Sequence, residues 1–325
     1  MPIIDFHNHY YPPAYLKALQ NGESAVQVTI DEQGNPRLHY PGDYNIAVPG
    51  QRDLAVRRKM LDDHGIDMQV YTLTTPGTHV ETPAVAARLA ALVNDEFARG
   101  IADYPGRFSS LATLPLNDPA ASVKELERAA KLPGIKGMYL ATNVNNEELD
   151  EKKFWPVYEA CEALGWTIFL HPVDTLGQDR TKKYYLKNLC GNPYDTGIAA
   201  AHIIFGGVLD QFPRLGFNLP HAGGTFPWLI GRWDHGTGVR PELKHMKKKP
   251  SEYLRRFTYD TIGHDDRINT NLVRLVGADR VTLGSDYCFD MGLDDPLATV
   301  KRIKDLSAKD LELISGGNAK ALLRL

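Results

Sequence analysis

The sequence predicts an α/β protein of the (β/α)8 (TIM) barrel class, with a small β-hairpin inserted after the first strand and helices at the C-terminal end. Three observations carry that prediction. Short apolar runs alternate with amphipathic stretches through all 325 residues, the pattern of a parallel sheet with crossover helices. Eight of those runs have strand character, the number that closes a barrel at this chain length. Histidine and aspartate follow several of the runs instead of interrupting them, as expected if the C-terminal ends of the strands form the mouth of a site.

The first run, residues 3–6, leads into His7-Asn8-His9. Two histidines at i and i+2 project from one face of an extended chain, which makes half of a divalent-metal site; a strand that merely carries two polar residues has the same pattern. Tyr10-Tyr11-Pro12-Pro13 stops the strand before a short helical stretch. In residues 25–40, two extended segments (28–30 and 37–39) flank Gln33-Gly34-Asn35-Pro36, a strong turn signal. This hairpin is the core of an insertion spanning about 20–48. A helix follows over 51–64, with Leu54/Leu61 and Val56/Met60 at helical spacing and Gly65 as its stop. The remaining strands fall at 68–72, 108–114, 135–139, 167–170, 215–219, 257–260 and 281–284. Amphipathic stretches at 83–104, 119–132, 154–164, 196–212, 226–235 and 267–276 separate them, and 297–325 reads as terminal helices. No repeat or low-complexity segment interrupts the pattern, so residues 1–325 read as one barrel domain.

Composition narrows the function classes. The chain is 43% hydrophobic and 24% charged, with a net charge of −3, which suits a globular protein with a sizeable core and gives no electrostatic footprint for nucleic acid. The one basic cluster, His245-Met246-Lys247-Lys248-Lys249 before Pro250, reads as a solvated loop. Cys161, Cys190 and Cys288 are too scattered for a disulfide framework or a cysteine metal site, and Cys161 falls within a helical pattern as a core thiol. Neither a signal-peptide pattern nor an apolar run long enough to span a bilayer is present. The expectation is a soluble, cytoplasmic protein without membrane or nucleic-acid partners.

The chemistry collects where the strands end. Residues 167–170 run into His171-Pro172-Val173-Asp174, residues 215–219 into Pro220-His221-Ala222-Gly223-Gly224, and residues 281–284 into Ser285-Asp286-Tyr287. Taken singly, His171 or His221 reads as a core histidine bonded to backbone, and Asp286 as a helix cap. Together with His7 and His9, all at strand ends, they suit a catalytic divalent ion with an open position for water or substrate. His202 lies in a helix and reads as structural. His39, His64, His79, His235 and His245 fall in loops, in the hairpin or at helix ends. His264 follows the seventh strand but sits beside Asp265-Asp266, which reads as a helix start.

These residues, with Ile4-Asp5-Phe6, Met60-Leu61-Asp62-Asp63-His64-Gly65-Ile66-Asp67, Gly206-Gly207-Val208-Leu209-Asp210, Thr225-Phe226, Gly231-Arg232 and Leu283-Gly284, resemble the amidohydrolase superfamily along nearly the whole chain. Within it the likeness is to the aminocarboxymuconate-semialdehyde decarboxylase group, of the amidohydrolase 2 type. The resemblance implies one catalytic metal, zinc or in some relatives manganese, with His7, His9, His171 and Asp286 as its ligands and His221 as the nearby acid/base. It also implies that Arg232 reaches into a neighbouring subunit's site to hold a substrate carboxylate, and hence a homodimer; without the family, Arg232 reads as a helix-face residue paired with Asp234. The chain departs from the group at residues 45–47, where a second carboxylate-binding arginine is absent and only Arg52 or Arg57 stands near, Arg57 reading as a helix-surface residue. A tryptophan of the group is replaced near Asn188. The implied activity is metal-dependent, non-oxidative decarboxylation of a related unsaturated or aromatic carboxylic acid, a small-molecule substrate, with Asp286 and His221 in acid/base roles. The alternative is a hydrolase or hydratase acting on a lactone, C–C or C=C substrate at the same metal.

Overall fold

The computed structural model describes residues 1–22, 24–40 and 43–325. Its strands are β1 (Ile4–His9), β2 (Gln27–Ile30), β3 (Pro36–Tyr40), β4 (Asp43–Ile46), β5 (Met68–Thr72), β6 (Phe108–Ala112), β7 (Ile135–Ala141), β8 (Thr167–His171), β9 (Gly216–Leu219), β10 (Phe257–Asp260) and β11 (Val281–Thr282). Eight of them form a parallel sheet in the order β1-β5-β6-β7-β8-β9-β10-β11, while β2-β3-β4 form a separate sheet. The ring closes beyond β11. Phe6 N donates to Leu283 O at 2.9 Å, Ser285 N and Asp286 N donate to His7 O at 3.1 and 2.8 Å, and His9 N donates to Tyr287 O at 3.2 Å. The expected eight-stranded barrel is therefore present, and its seam runs through the residues with candidate chemistry.

Three details differ from the sequence reading, each for a local reason. The insertion is a three-stranded antiparallel sheet, because Asp43-Tyr44-Asn45-Ile46 pairs along β3 from Arg37↔Ile46 to Tyr40↔Asp43; the polar-apolar alternation of this third strand is only four residues long. The helix expected over 51–64 is two helices, α2 (Pro49–Arg52) and α3 (Leu54–His64), after α1 (Pro13–Gln20). Asp53 separates them, since its Oδ1 accepts from Ala55 N at 2.8 Å and so caps α3. The stretch at 196–212 is likewise divided at Gly207, whose φ of +76° suits a residue without Cβ.

The remaining helices are α4 (Pro83–Asp103), α5 (Pro119–Ala129), α6 (Trp155–Leu164), α7 (Asn192–Phe205), α8 (Val208–Gln211), α9 (Phe226–Val239), α10 (Asp266–Val276), α11 (Pro296–Arg302), α12 (Ala308–Glu312) and α13 (Asn318–Leu323). Asp265 caps α10 through Arg267 N, as its sequence position suggested. The last helix packs Ala319 and Leu323 against Ile4, Phe6, Val70, Leu111, Tyr139 and Phe169, beside the start of β1. Among the described residues no helix is long and apolar enough to cross a membrane.

Candidate metal centre

His7 and His9 leave β1 on one side, His171 is the last residue of β8, and Asp286 sits in the seam just past β11. One donor atom from each lies within 4.8 Å of the others, and all four residues are buried. His9 Nε2 stands 3.2 Å from His7 Nε2 and 3.1 Å from His171 Nε2. Asp286 Oδ1 is 3.5 Å from His7 Nε2 and 3.3 Å from His9 Nε2. Donor bonds of about 2.0–2.1 Å at tetrahedral angles require donor separations of about 3.3 Å, so the spacing fits one divalent ion. Two of the three imidazoles are held neutral. Burial presses His9 down to about 4, and burial together with the neighbouring imidazoles presses His171 well below its ordinary range, leaving neutral rings with lone pairs. His7 goes the other way, its burial outweighed by Asp286 and Asp260. Burial alone would raise Asp286, but His7, His221 and His9 hold its carboxyl well below the usual range, so it faces the cluster as a carboxylate.

A second layer orients these donors. Asp260, at the end of β10, accepts from His7 Nδ1 at 2.6 Å, which leaves the Nε2 lone pair aimed at the cluster. The same carboxylate accepts from the backbone N of His221 at 2.9 Å, Ala222 at 2.8 Å and Ile262 at 2.9 Å. Thr72 Oγ1 donates to Asn8 O at 3.3 Å and so receives the Nδ1 proton of His9 at 3.0 Å. Asp286 has a left-handed φ of +56°, a strained position for a residue with Cβ, and it is bracketed on both sides. Asp5 accepts from Ser285 N at 3.0 Å and from Ser285 Oγ at 2.5 Å. Arg57 donates to Tyr287 O at 3.5 Å, to His9 O and to Asn8 Oδ1 at 2.7 Å.

Arg57 thus corrects the sequence reading. It is 0% exposed, with its guanidinium over the rings of Tyr10 and Tyr287, because α3 turns this residue inward onto the seam. The sequence also did not mark Asp260, Thr72 or Asp5 as part of a site. For Asp260 a signal existed: an acidic residue ending the otherwise uncharged run Phe257-Thr258-Tyr259.

A cavity of about 530 Å³ opens beside the cluster, lined by His171, His221 and Asp286 from the barrel and by Tyr40, Asn45 and Val48 from the insertion. His221 has φ +53°; its Nε2 is 3.6 Å from Asp286 Oδ2, and its Nδ1 is buried without a hydrogen-bond partner. Asn45, where the family's arginine was sought, donates to Tyr11 Oη at 2.9 Å and Thr75 Oγ1 at 2.7 Å, so its amide braces the insertion. Arg52 donates to Ala47 O at 2.9 Å and Asn35 Oδ1 at 3.2 Å, away from the cavity lining. Asn188 lines the cavity. Arg232 lies exposed on α9, outside the cavity lining, and Asp234 accepts from Ser251 N at 2.9 Å. His202 pairs through Nδ1 with Asp150 at 2.9 Å on the surface.

An eight-stranded α/β barrel with three imidazoles and a carboxylate converging at its mouth defines a class of metal-competent barrel proteins. Within that class the sequence gives the family. The family model described as amidohydrolase matches residues 4–325, and the chain belongs to the amidohydrolase family. It is 37% identical over 328 residues to the 2-amino-3-carboxymuconate-6-semialdehyde decarboxylase of Dictyostelium discoideum, covering 99% of this chain and 91% of that one. It is 28% identical over 289 residues to the gamma-resorcylate decarboxylase of Polaromonas sp. (strain JS666), covering 84% and 88%. The crystal structure of 5-carboxyvanillate decarboxylase from Sphingomonas paucimobilis superposes with a TM-score of 0.87 at 26% identity, covering 100% and 99% of the two chains.

Proposed function

We propose that this chain releases CO2, without oxidation, from an unsaturated or aromatic carboxylic acid at one divalent ion held by His7, His9, His171 and Asp286. The observation that carries this reading is a four-donor cluster within 4.8 Å in a chain whose relatives, across most of its length, are decarboxylases. The chain is accordingly a carboxy-lyase, and the hydrolase or hydratase alternative finds no support in those relatives. When bound, the divalent ion supplies Lewis-acid charge where electron density collects as CO2 departs. Three nitrogens and one carboxylate favour zinc as the occupant, with manganese the alternative.

The chain's own residues supply the proton. Replacing a carboxylate by hydrogen needs one proton at the carbon that loses CO2. His221 carries it at Nε2, on the edge that faces Asp286 Oδ2 across 3.6 Å. Asp286, held ionised, faces that edge of the ring as a carboxylate. The bond from Asp260 to the His221 backbone N fixes where the ring emerges into the cavity.

Arg232 acts, on this reading, from a second copy in a homodimer. It stands one helical turn from Trp228 and Leu229, which are 45% and 37% exposed, so one face of α9 presents a guanidinium flanked by apolar surface, as interfaces do. Its planar fork suits a substrate carboxylate. The test is CO2 release by metal-loaded protein from a panel of hydroxybenzoates and muconate acids. Release from at least one is expected; a product that gains water with no CO2 would establish the hydrolytic alternative instead.

A further inference from the structure

Asp286 is the one candidate ligand outside the regular strands, and its left-handed φ of +56° needs support from its neighbours. That support is a closed circuit of hydrogen bonds. On one flank, Ser285 Oγ accepts from Tyr287 N at 3.0 Å and so gives its own proton to Asp5 Oδ2 at 2.5 Å; the hydroxyl thus straddles Asp286. On the other flank, Arg57 donates to Tyr287 O at 3.5 Å. Gln69, on β5, joins the two. Its Nε2 donates to Asp5 Oδ2 at 2.8 Å, and its Oε1 accepts from Arg57 Nη1 at 3.1 Å. Asp5, Arg57 and Gln69 are all 0% exposed.

The chemistry of these partners fixes which way the amide points. Asp5 receives from Ser285 N, Ser285 Oγ and Gln69 Nε2, which requires a carboxylate, and a guanidinium can only donate. Gln69 is therefore polarised in one sense from both ends, with an anion at its NH2 and a cation at its carbonyl, and bonds in such a chain strengthen one another. Without the amide, Asp5 keeps Ser285, and Arg57 keeps Asn8 and His9 O, but the two flanks of Asp286 lose the member they share. Gln69 itself contributes no donor to the cluster and does not line the cavity, so its influence on the centre passes through this circuit.

We propose that Gln69 is a positioning residue for the metal centre, setting the Asp286 carboxylate against the three imidazoles through Asp5 and Ser285 on one flank and Arg57 and Tyr287 on the other. This rests on the four-donor reading of the site and is independent of the reaction carried out there.

The test reads metal binding and not turnover. Co2+ is titrated against a competing chelator into metal-stripped wild type, Gln69→Met and Tyr158→Phe. The visible bands of the bound ion, which report its ligand geometry, and the melting temperature of the metal-free protein are recorded for each. Methionine comes close to the volume of glutamine and has no amide. Tyr158→Phe removes a buried bond to Leu149 O of 2.8 Å on α6, outside the circuit, and so controls for lost stability alone. Gln69→Met is expected to bind Co2+ about 10–100-fold more weakly with altered bands, whereas Tyr158→Phe keeps the affinity and bands of wild type at a lower melting temperature. Ser285→Ala breaks the same circuit, so adding it to Gln69→Met should cost no more than about twofold beyond the weaker single variant. Affinity in Gln69→Met within about twofold of wild type overturns the proposal, and so do fully additive losses in the double variant. If Gln69→Met does not fold, Gln69→Glu, which keeps the acceptor for Arg57 and loses the donor to Asp5, is titrated by the same criterion. Wild type that binds no Co2+ overturns the metal centre and this role with it; wild-type binding that the Gln69 variant leaves unchanged overturns the role of Gln69 alone.

Discussion

Replacing Asp260 by asparagine tests whether the second layer governs the metal centre. The carboxylate takes four donors: His7 Nδ1 at 2.6 Å and His221 N at 2.9 Å on Oδ2, and Ala222 N at 2.8 Å and Ile262 N at 2.9 Å on Oδ1. An amide of the same shape has one acceptor oxygen, so two of the four donors lose their partner in either orientation. Each hydrogen bond to a charged acceptor contributes about 1.5–3 kcal/mol, and the expected loss for two of them is about 3–6 kcal/mol. That is a large share of the roughly 5–15 kcal/mol that holds a domain together. If the NH2 faces His7, the imidazole must move its proton to Nε2, which turns an N–H toward the cluster. Loss of such an orienting partner weakens metal binding by about 10–100-fold. Chelator competition measures the affinity and calorimetry the melting temperature, where a drop of roughly 5–10 °C is expected. Metal affinity within about twofold of wild type in Asp260→Asn would refute the coupling between this aspartate and the centre.

Three further outcomes are expected. His221→Asn, in which asparagine tolerates the left-handed backbone, should keep its metal and lose about 10²–10⁴-fold in turnover; full CO2 release in that variant reassigns the proton carrier. Mixing inactive Arg232→Ala with inactive His171→Ala protomers should restore part of the activity, since one mixed site has all its residues, and no restoration in demonstrated mixed dimers argues against a shared site. The third concerns pH: burial raises Asp195 from its ordinary 3.8 to about 6, so the unfolded chain ionises first as pH rises. Stability is therefore lost between about pH 4 and pH 6, by up to about 3 kcal/mol. Asp195→Asn should gain over wild type at pH 7.5 and not at pH 4, and an equal shift at both pH values contradicts the sign.

How far the sequence reaches can be judged residue by residue. The barrel was legible because burial on both faces makes each strand a short apolar run, and His7, His9, His171 and Asp286 stood out as chemistry placed where those runs stop. Arg57 was misread because its neighbours Arg58 and Lys59 give the helix a polar appearance, whereas its partner Asn8 lies 49 residues away. Asp260 gave only a weak sign, since an aspartate ending a strand is also an ordinary turn residue. The third strand of the insertion alternates polar and apolar residues for only four positions, too short a run to stand out without its pairing to β3. Gln69 meets Asp5 only once β5 lies along β1, a tertiary event with no local period to announce it.

The most direct measurement strips the protein of metal, restores it stepwise, and follows bound metal and CO2 release from the same samples. The account predicts one equivalent per chain, activity rising in proportion to it, and neither recovered in His171→Ala. Undiminished CO2 release from fully metal-free protein, or full metal content in His171→Ala, contradicts it.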